Sequence, residues 1–179
     1  MAGSTAPGRD ALLDITSADI ATTDSMLLAA IRTSTARPDD LGSPTGRDWS
    51  LRFEVLERVY TVSAVKTADG ELFTAYVGRV GSGAAENSEP LGQIDGDIDL
   101  NSGVIRFRGP LSMFAGPRPG TRMWLREAFT GRAVGTSGAS SVVGRELAGR
   151  LYNVTSATSD EATGNAEYRA GSPSCLTSR

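Results

Sequence analysis

The chain has 179 residues, 39% of them hydrophobic, a length that suits one domain with a real core. Its 18 basic and 21 acidic residues give a net charge of -3 and the arginines are scattered, so composition gives no reason to expect nucleic acid or an anionic membrane as partner. The absence of histidine excludes Ser-His-Asp and Cys-His catalytic systems, and no apolar run reaches the ~18 residues of a membrane span.

Both ends of the chain have the small, polar composition of flexible segments. Residues 1–11 lack the apolar centre of a signal peptide and are expected to form a flexible leader. Ser, Thr, Gly, Ala and Asp dominate residues 155–179, so poor order is expected there. The lone Cys175 cannot form an internal disulfide, and a free thiol or an intermolecular disulfide are its alternatives. A single domain over residues 12–154 is predicted between these ends.

Alternation of apolar and polar residues predicts the first strands of this domain. Residues 13–20 form an extended segment, and the apolar run at 26–33 is short and bounded by turns, which favours a buried strand over a helix. The stretch 49–56 alternates, 59–66 is apolar on one face and mixed on the other, and 72–80 follows as another strand, with short turns between them. They predict three consecutive antiparallel strands in a meander.

The stretch 91–108 predicts a β-hairpin with an apolar inner face and a charged outer face. An Asn-Ser-Gly turn separates its two alternating halves. The apolar positions are even-numbered before the turn and odd-numbered after it, which disfavours a three-residue loop. These inner residues are Ile94, Ile98, Leu100, Ile105 and Phe107.

Two registers of this hairpin remain open, and each pairs opposite charges on the outer face. A two-residue loop would set Asp99 against Arg106 and Asp97 against Arg108. A four-residue loop would set Asp97 against Arg106 and Asp95 against Arg108. In either register the charged pairs select the register more than they stabilise the fold.

The remaining elements complete an all-β prediction. Residues 110–114 predict one helical turn with Pro110 at an early position, and 122–130 predict a last strand. Residues 142–152 predict a helix, because their larger apolar residues are spaced by four. Strand signals at roughly 8–12-residue intervals indicate an antiparallel β-sandwich, Ig-like or jelly-roll-like, with at most one or two short helices.

Aspartates supply two candidate calcium sites. Asp95, Asp97 and Asp99 match the first three ligand positions of an EF-hand loop. The EF-hand itself is excluded, since Leu100 stands at the required turn glycine and Arg106 at the bidentate glutamate. Calcium held by the three carboxylates with a loop stays open beside a solvated face paired with arginines. The second candidate set, on the same oxygen-rich spacing, is Asp10, Asp14 and Asp19.

Aromatic and nucleophilic residues give weaker signals. Trp49 is in phase with apolar neighbours and is expected in the core, whereas Trp124 is the candidate aromatic platform for a sugar ring. Ser63 and Lys66 match the Ser-x-x-Lys motif of penicillin-binding enzymes. That chemistry needs the lysine one helical turn from the serine, but this segment predicts a strand. No catalytic residues are therefore assigned.

The order of these segments resembles a β-sandwich module common in secreted actinobacterial proteins. The resemblance spans about residues 10–175 and includes the hairpin GQIDGDIDLNSGVIRFRGP. Its other parts are LLDITSADIATTDSMLLAAIRT, DWSLRFEVLERVYTVSA and SDEATGNAEYRAGSPSC. Such modules are similar to carbohydrate-binding and cell-surface sandwich domains, and they often accompany secreted hydrolases without being catalytic.

The resemblance implies a non-catalytic extracellular or cell-surface module that binds or spaces, as an accessory to a secreted hydrolase. A polysaccharide or a surface protein would be its partner, and no cofactor other than calcium is expected. The alternative is a structural subunit of a self-assembling surface or virion particle, and an enzyme using carboxylates is a third class. Because the first residues lack a signal peptide, a cytoplasmic location is the alternative to secretion.

Overall fold

A computed structural model of the chain consists of two antiparallel sheets packed as a sandwich, which confirms the fold class predicted from the sequence. Within the described residues the chain forms eleven strands and two short 3-10 helices. The structure describes residues 11–34, 46–67, 70–79, 89–135, 144–147, 150–174 and 176.

The elements are named in chain order. The 3-10 helices are Ala11–Leu13 and Leu111–Phe114. The strands are β1 (Ile15–Thr22), β2 (Met26–Thr33), β3 (Gly46–Val55), β4 (Arg58–Thr67), β5 (Gly70–Arg79), β6 (Glu89–Gln93), β7 (Asp95–Asp99), β8 (Val104–Pro110), β9 (Arg122–Gly135), β10 (Gly144–Leu147) and β11 (Arg150–Arg169).

The smaller sheet has the strand order β1-β2-β8-β7, and the larger sheet has the order β10-β11-β9-β3-β4-β5-β6. The neighbours β3, β4 and β5 are consecutive in the chain and antiparallel, so the predicted meander is confirmed. The predicted strand at 26–33 is β2 with the same bounds. The predicted helical turn is also confirmed, as the 3-10 helix that Pro110 precedes as N-cap.

The single strand predicted over 91–100 is wrong, because the chain changes sheets within it. β6 pairs with β5 in the larger sheet, whereas β7 pairs with β8 in the smaller one. Ile94 lies at the crossing, is buried, and donates its backbone N–H to the carbonyl of Phe73 at 3.1 Å. Gly92 has a φ of 131°, a conformation open to glycine, just before the crossing. Alternation continues through the crossing, so the pattern carries no sign of it.

Gly96 is required where the two sheets meet. A Cβ at this position would lie 2.2 Å from the ring of Phe73. That ring, from the larger sheet, packs edge-on against Phe107 of the smaller sheet at 6.1 Å between centroids. A side chain at residue 96 would therefore displace an aromatic contact that joins the two layers.

The β7–β8 hairpin adopts the register with the four-residue loop. Asp97 lies opposite Arg106 and Asp95 opposite Arg108, which confirms one of the two registers left open by the sequence. Ile98 lies opposite Ile105 on the inner face, where it is partly buried against the core. The charged residues therefore fall on the outer face of the smaller sheet, as the alternation predicted.

Aromatic rings fill the centre of the sandwich. Phe53, Tyr60 and Phe114 form a cluster with centroids 5.6–5.7 Å apart, which joins β3, β4 and the second 3-10 helix. Trp49 is fully buried, so its predicted place in the core is confirmed.

Buried polar side chains of the larger sheet hold the segment that leads into β1. The indole N–H of Trp49 donates to the carbonyl of Leu12 at 2.8 Å, and the Thr130 hydroxyl donates to that of Leu13 at 2.6 Å. The carboxylate of Asp160 accepts the backbone N–H of the first residue of β1 at 2.7 Å. These bonds satisfy backbone groups that would otherwise be buried without partners.

The predictions for the C-terminal third need correction. The helix predicted over 142–152 is wrong, since β10 and the start of β11 form an antiparallel pair there. Poor order over 155–179 is also wrong for residues 155–169, which continue β11 along β9. Small residues such as the buried Ala162 fill inner positions of this strand, so a composition typical of disorder builds part of the core. The boundary predicted at residue 154 thus falls inside a strand, while residues 1–10 of the leader and Cys175 lie outside the described residues.

The two faces of the hairpin predict different costs of substitution. Ile98→Asp puts a carboxylate against the core and should lower the free energy of unfolding by about 3 kcal/mol. Arg106→Glu on the outer face should lower it by less than about 1 kcal/mol. Urea denaturation of both variants measures the difference, and equal midpoints would show that residue 98 does not face the core.

Candidate functional surface

The carboxylate of the candidate calcium ligand Asp97 pairs with two arginines. Its carboxylate accepts a hydrogen bond from Arg106 at 2.8 Å and another from Arg108 at 3.1 Å. Asp95 lies on the same outer face, opposite Arg108, and is exposed. Asp97 therefore pairs with both hairpin arginines in the way expected of a solvated, paired strand face.

Asp99 organises the hairpin turn. Its carboxylate accepts hydrogen bonds from the backbone N–H groups of Asn101 and Ser102 at 3.1 and 3.2 Å, and from the Ser102 hydroxyl at 2.6 Å. The Ser102 hydroxyl, followed by the backbone N–H groups, holds the pKa of the Asp99 carboxyl below its ordinary value. This is the local side-chain bonding by which aspartate favours turns.

The described residues contain no group of three or more carboxylate, histidine or cysteine side chains that is suited to a metal ion. In the second candidate set, Asp14 accepts the Ser34 hydroxyl at 2.7 Å and Asp19 accepts the N–H of Ile20 at 3.0 Å. Asp10 lies outside the described residues. The calcium interpretation stays a prediction at both sets.

A calcium titration tests this interpretation. Calcium that binds the native state raises the melting temperature. We expect no calcium binding, so millimolar calcium should leave the melting temperature of a chelator-washed sample unchanged. Differential scanning fluorimetry gives the readout, with Asp97→Asn as a companion variant. A rise of several degrees that the variant abolishes would restore the hairpin carboxylates as a calcium site.

Trp124 lies on the outer face of the larger sheet, half-buried, so the orientation required of an aromatic platform is met. The guanidinium of Arg126 lies 5.5 Å from the centre of its ring. Arg126 also pairs with Glu54 of β3 at 2.5 Å and donates to the amide oxygen of Asn165 in β11. The indole is therefore part of an ordered layer of side chains that spans three strands.

The same arrangement occurs a second time on this face. The guanidinium of Arg52 lies 5.6 Å from the ring centre of Phe129 and pairs with Glu127 at 2.5 Å. In both cases an arginine stacks on an aromatic ring of β9 and pairs with a glutamate across the β3–β9 boundary. We name the residues of both stacks the stacked face: Trp124, Arg126, Glu54, Phe129, Arg52 and Glu127.

Burial opposes the ionisation of Glu127 on the stacked face. Burial raises the pKa of its carboxyl above the ordinary value of 4.5, and the neighbouring Glu161 of β11 raises it further, against the attraction of Arg52. Glu127 and Glu161 are diagonal neighbours on adjacent strands, since Glu161 lies opposite Phe129. The proximity of the Glu161 carboxyl therefore disfavours the charged form of Glu127.

The pKa of Glu127 predicts a pH dependence of stability. Its folded pKa lies above its unfolded value, so its contribution is fully present below about pH 4.5 and is lost as the pH rises through the raised pKa. The glutamine side chain of the Glu127→Gln variant cannot ionise. The variant should therefore not show this loss of stability as the pH rises. Denaturant midpoints measured from pH 4 to 7 provide the comparison, and a variant with the wild-type slope would contradict the assignment.

Ser63 belongs to a buried polar cluster and not to a Ser-Lys pair. Its hydroxyl donates to Asp48 at 2.8 Å and accepts from the Ser50 hydroxyl at 2.7 Å, and all three residues are at most 1% exposed. Lys66 instead forms an ion pair with Glu71. Ser63 and Lys66 are three residues apart on one strand, so their side chains point to opposite faces.

Two depressions on the described surface have a volume that could hold a small ligand. One, of about 350 Å³, lies beside Ile20, Glu167 and Arg169 where the sheets adjoin. The other, of about 290 Å³, lies on the outer face of the smaller sheet and is lined by arginines of two strands. We name the second the arginine depression; its lining is Leu28, Ala29, Ala30, Arg32, Val104, Arg106, Phe107, Arg108 and Leu176. The sequence gives no sign of this depression, because Arg32 is more than 70 residues away from the other two arginines.

Comparison of the chain with protein-family models, with curated proteins and with solved structures finds no match. Among the described residues, no helix is both long and apolar enough to cross a membrane.

Proposed function

We propose that this protein is a non-catalytic β-sandwich module that works outside the cell or at its surface and binds a polysaccharide through the stacked face. The observation that carries the proposal is the half-buried Trp124 held between strands by Arg126. Its indole contributes nothing to the interior of the sandwich, yet three strands supply side chains that fix its surroundings.

The chemistry of this surface suits a neutral sugar chain. Indole and guanidinium planes offer flat, amphipathic area on which the apolar face of a sugar ring can pack. The Glu54 carboxylate and the Asn165 amide add hydrogen-bonding groups beside it, already positioned through Arg126. Because these side chains are fixed before binding, less conformational entropy is lost when a ligand arrives.

The resemblance to sandwich modules of secreted actinobacterial proteins supports the same proposal. Modules of that kind are similar to carbohydrate-binding domains and accompany secreted hydrolases. In this proposal the chain supplies attachment to the substrate polymer, while a neighbouring catalytic protein or domain supplies hydrolysis.

A structural role in a self-assembling particle is the second candidate, and one observation favours it. The β3–β4 turn exposes Leu56, whose surface is 56% accessible, and both Leu56 and Glu57 have positive φ angles. A positive φ angle is costly for residues other than glycine and asparagine. An exposed leucine on a strained turn suits insertion into a neighbouring copy, as in a surface or virion lattice.

Pull-down on insoluble polysaccharides tests the binding proposal. Wild-type protein should be retained by at least one of cellulose, chitin or purified bacterial cell wall, and Trp124→Ala should weaken retention at least tenfold while leaving the circular dichroism spectrum unchanged. The matched control is Tyr76→Ala, an aromatic on the same outer face but three strands away. Equal retention of the two variants, or none by the wild type, would sink the proposal.

Analytical ultracentrifugation separates the two candidates. A monomer at micromolar concentration contradicts the assembly role. Large species that Leu56→Ser disperses would support it instead.

A further inference from the structure

We propose that the arginine depression is a second binding site, which takes a carboxylate, sulfate or phosphate group carried by a compact ligand. It lies on the smaller sheet, so it is on the opposite side of the sandwich from the stacked face. The proposal does not rest on the function proposed for Trp124.

The residues that line the depression carry positive charge only. Its lining includes three arginines and no acidic residue. Arg106 and Arg108 share the single carboxylate of Asp97, which reaches them from β7. Arg32 takes part in no ion pair with any other described residue. The three arginines that line the depression therefore have one carboxylate, that of Asp97, as ion-pair partner among the described residues.

The strand register brings the three guanidinium groups to one place. Ala30 lies opposite Arg106 and Leu28 opposite Arg108, while Arg32 lies one step further along β2. Arg32 and Arg106 are thus diagonal neighbours, with Cα atoms about 7–8 Å apart, a separation that long side chains can bridge. An oxyanion between them would accept from forked donors of two adjacent strands.

The surroundings strengthen such an interaction. Ala30 and Val104, on the outer face of the sheet, are each 3% exposed, and Leu28 and Leu176 complete an apolar border. Apolar walls reduce the local dielectric constant, so a charge-assisted hydrogen bond is stronger here than on an open surface. The volume of about 290 Å³ lies near the lower end of known ligand pockets, which fits one sugar-sized unit that bears an anionic group.

Titration of the full chain with three anionic probes tests this site and identifies the source of the oxyanion. The probes are trigalacturonate for a carboxylate, low-mass dextran sulfate for a sulfate and inorganic phosphate for a free ion, with neutral dextran as the uncharged reference. Binding is followed by amide chemical shifts at constant ionic strength. At least one anion should shift resonances of β2 and β8, and neutral dextran should not.

Arg32→Gln supplies the decisive variant, because it leaves both bonds of Asp97 intact. It should raise the dissociation constant at least tenfold, whereas Arg32→Lys, which keeps the charge but not the fork, should give an intermediate loss. The matched control is Arg118→Gln, which makes the same change in net charge at an exposed residue outside the depression and should bind as the wild type.

Three outcomes would overturn the proposal. The first is the absence of binding to all three anions, and the second is an equal loss in Arg32→Gln and Arg118→Gln, which would mean general electrostatic attraction. The third is binding with shifts confined to another surface. If Arg32→Gln fails to fold, Arg108→Gln replaces it, since its side chain is 45% exposed and carries less packing. Loss of polysaccharide retention in Trp124→Ala has no bearing on this result, because that residue is on the other sheet.

Discussion

The sandwich depends on the hydrogen bonds that satisfy the backbone between the first 3-10 helix and β1. This backbone lies at the buried junction of the two sheets. A carbonyl or N–H group buried there without a partner would cost ~1–3 kcal/mol. Trp49, Thr130 and Asp160 come from three adjacent strands of the larger sheet and bond to successive groups of this segment. Because β1 continues directly into the smaller sheet, these bonds fix the position of one layer against the other. The aromatic contacts between Phe73 and Phe107 then fill the space so defined.

Much of the fold was predictable because half-buried strands alternate. The sequence pattern located the meander, β2 and the β7–β8 hairpin, and parity limited the hairpin to two registers, of which the structure has one. The predictions failed where periodicity gives no information on which strands pair with each other. The change of sheet at Ile94 leaves alternation undisturbed, and the apolar spacing over 142–152 suits a helix in isolation although the segment pairs as strands. Small residues in β11 suggested disorder, whereas facing β9 they complete a sheet.

The candidate surfaces were predictable only one residue at a time. Alternation correctly placed Asp97 on an outer face opposite an arginine of the hairpin, and Trp124 also proved to face outward, but no pattern identified Arg126 beside its indole. The stack on Trp124 requires Arg126, two residues further along β9, together with Glu54, some 70 residues earlier in the chain. A single sequence contains no signal for such pairing, since arginines and glutamates alternate on many exposed strand faces. The same limit hid the arginine depression, whose members meet only through the β2–β8 register.

The bonds at the two ends of β1 have a mechanical consequence. Its first residue meets Asp160, and Thr22 at its other end accepts the N–H of Gly171 at 2.7 Å, so β1 and the last part of β11 run side by side in the same direction. These two bonds lie about 23 Å apart along β1 at ~3.3 Å per residue. Tension between these points acts along β1 and perpendicular to its hydrogen bonds with β2, which then share the load. A strand loaded in shear in this way resists extension until several of its hydrogen bonds break together.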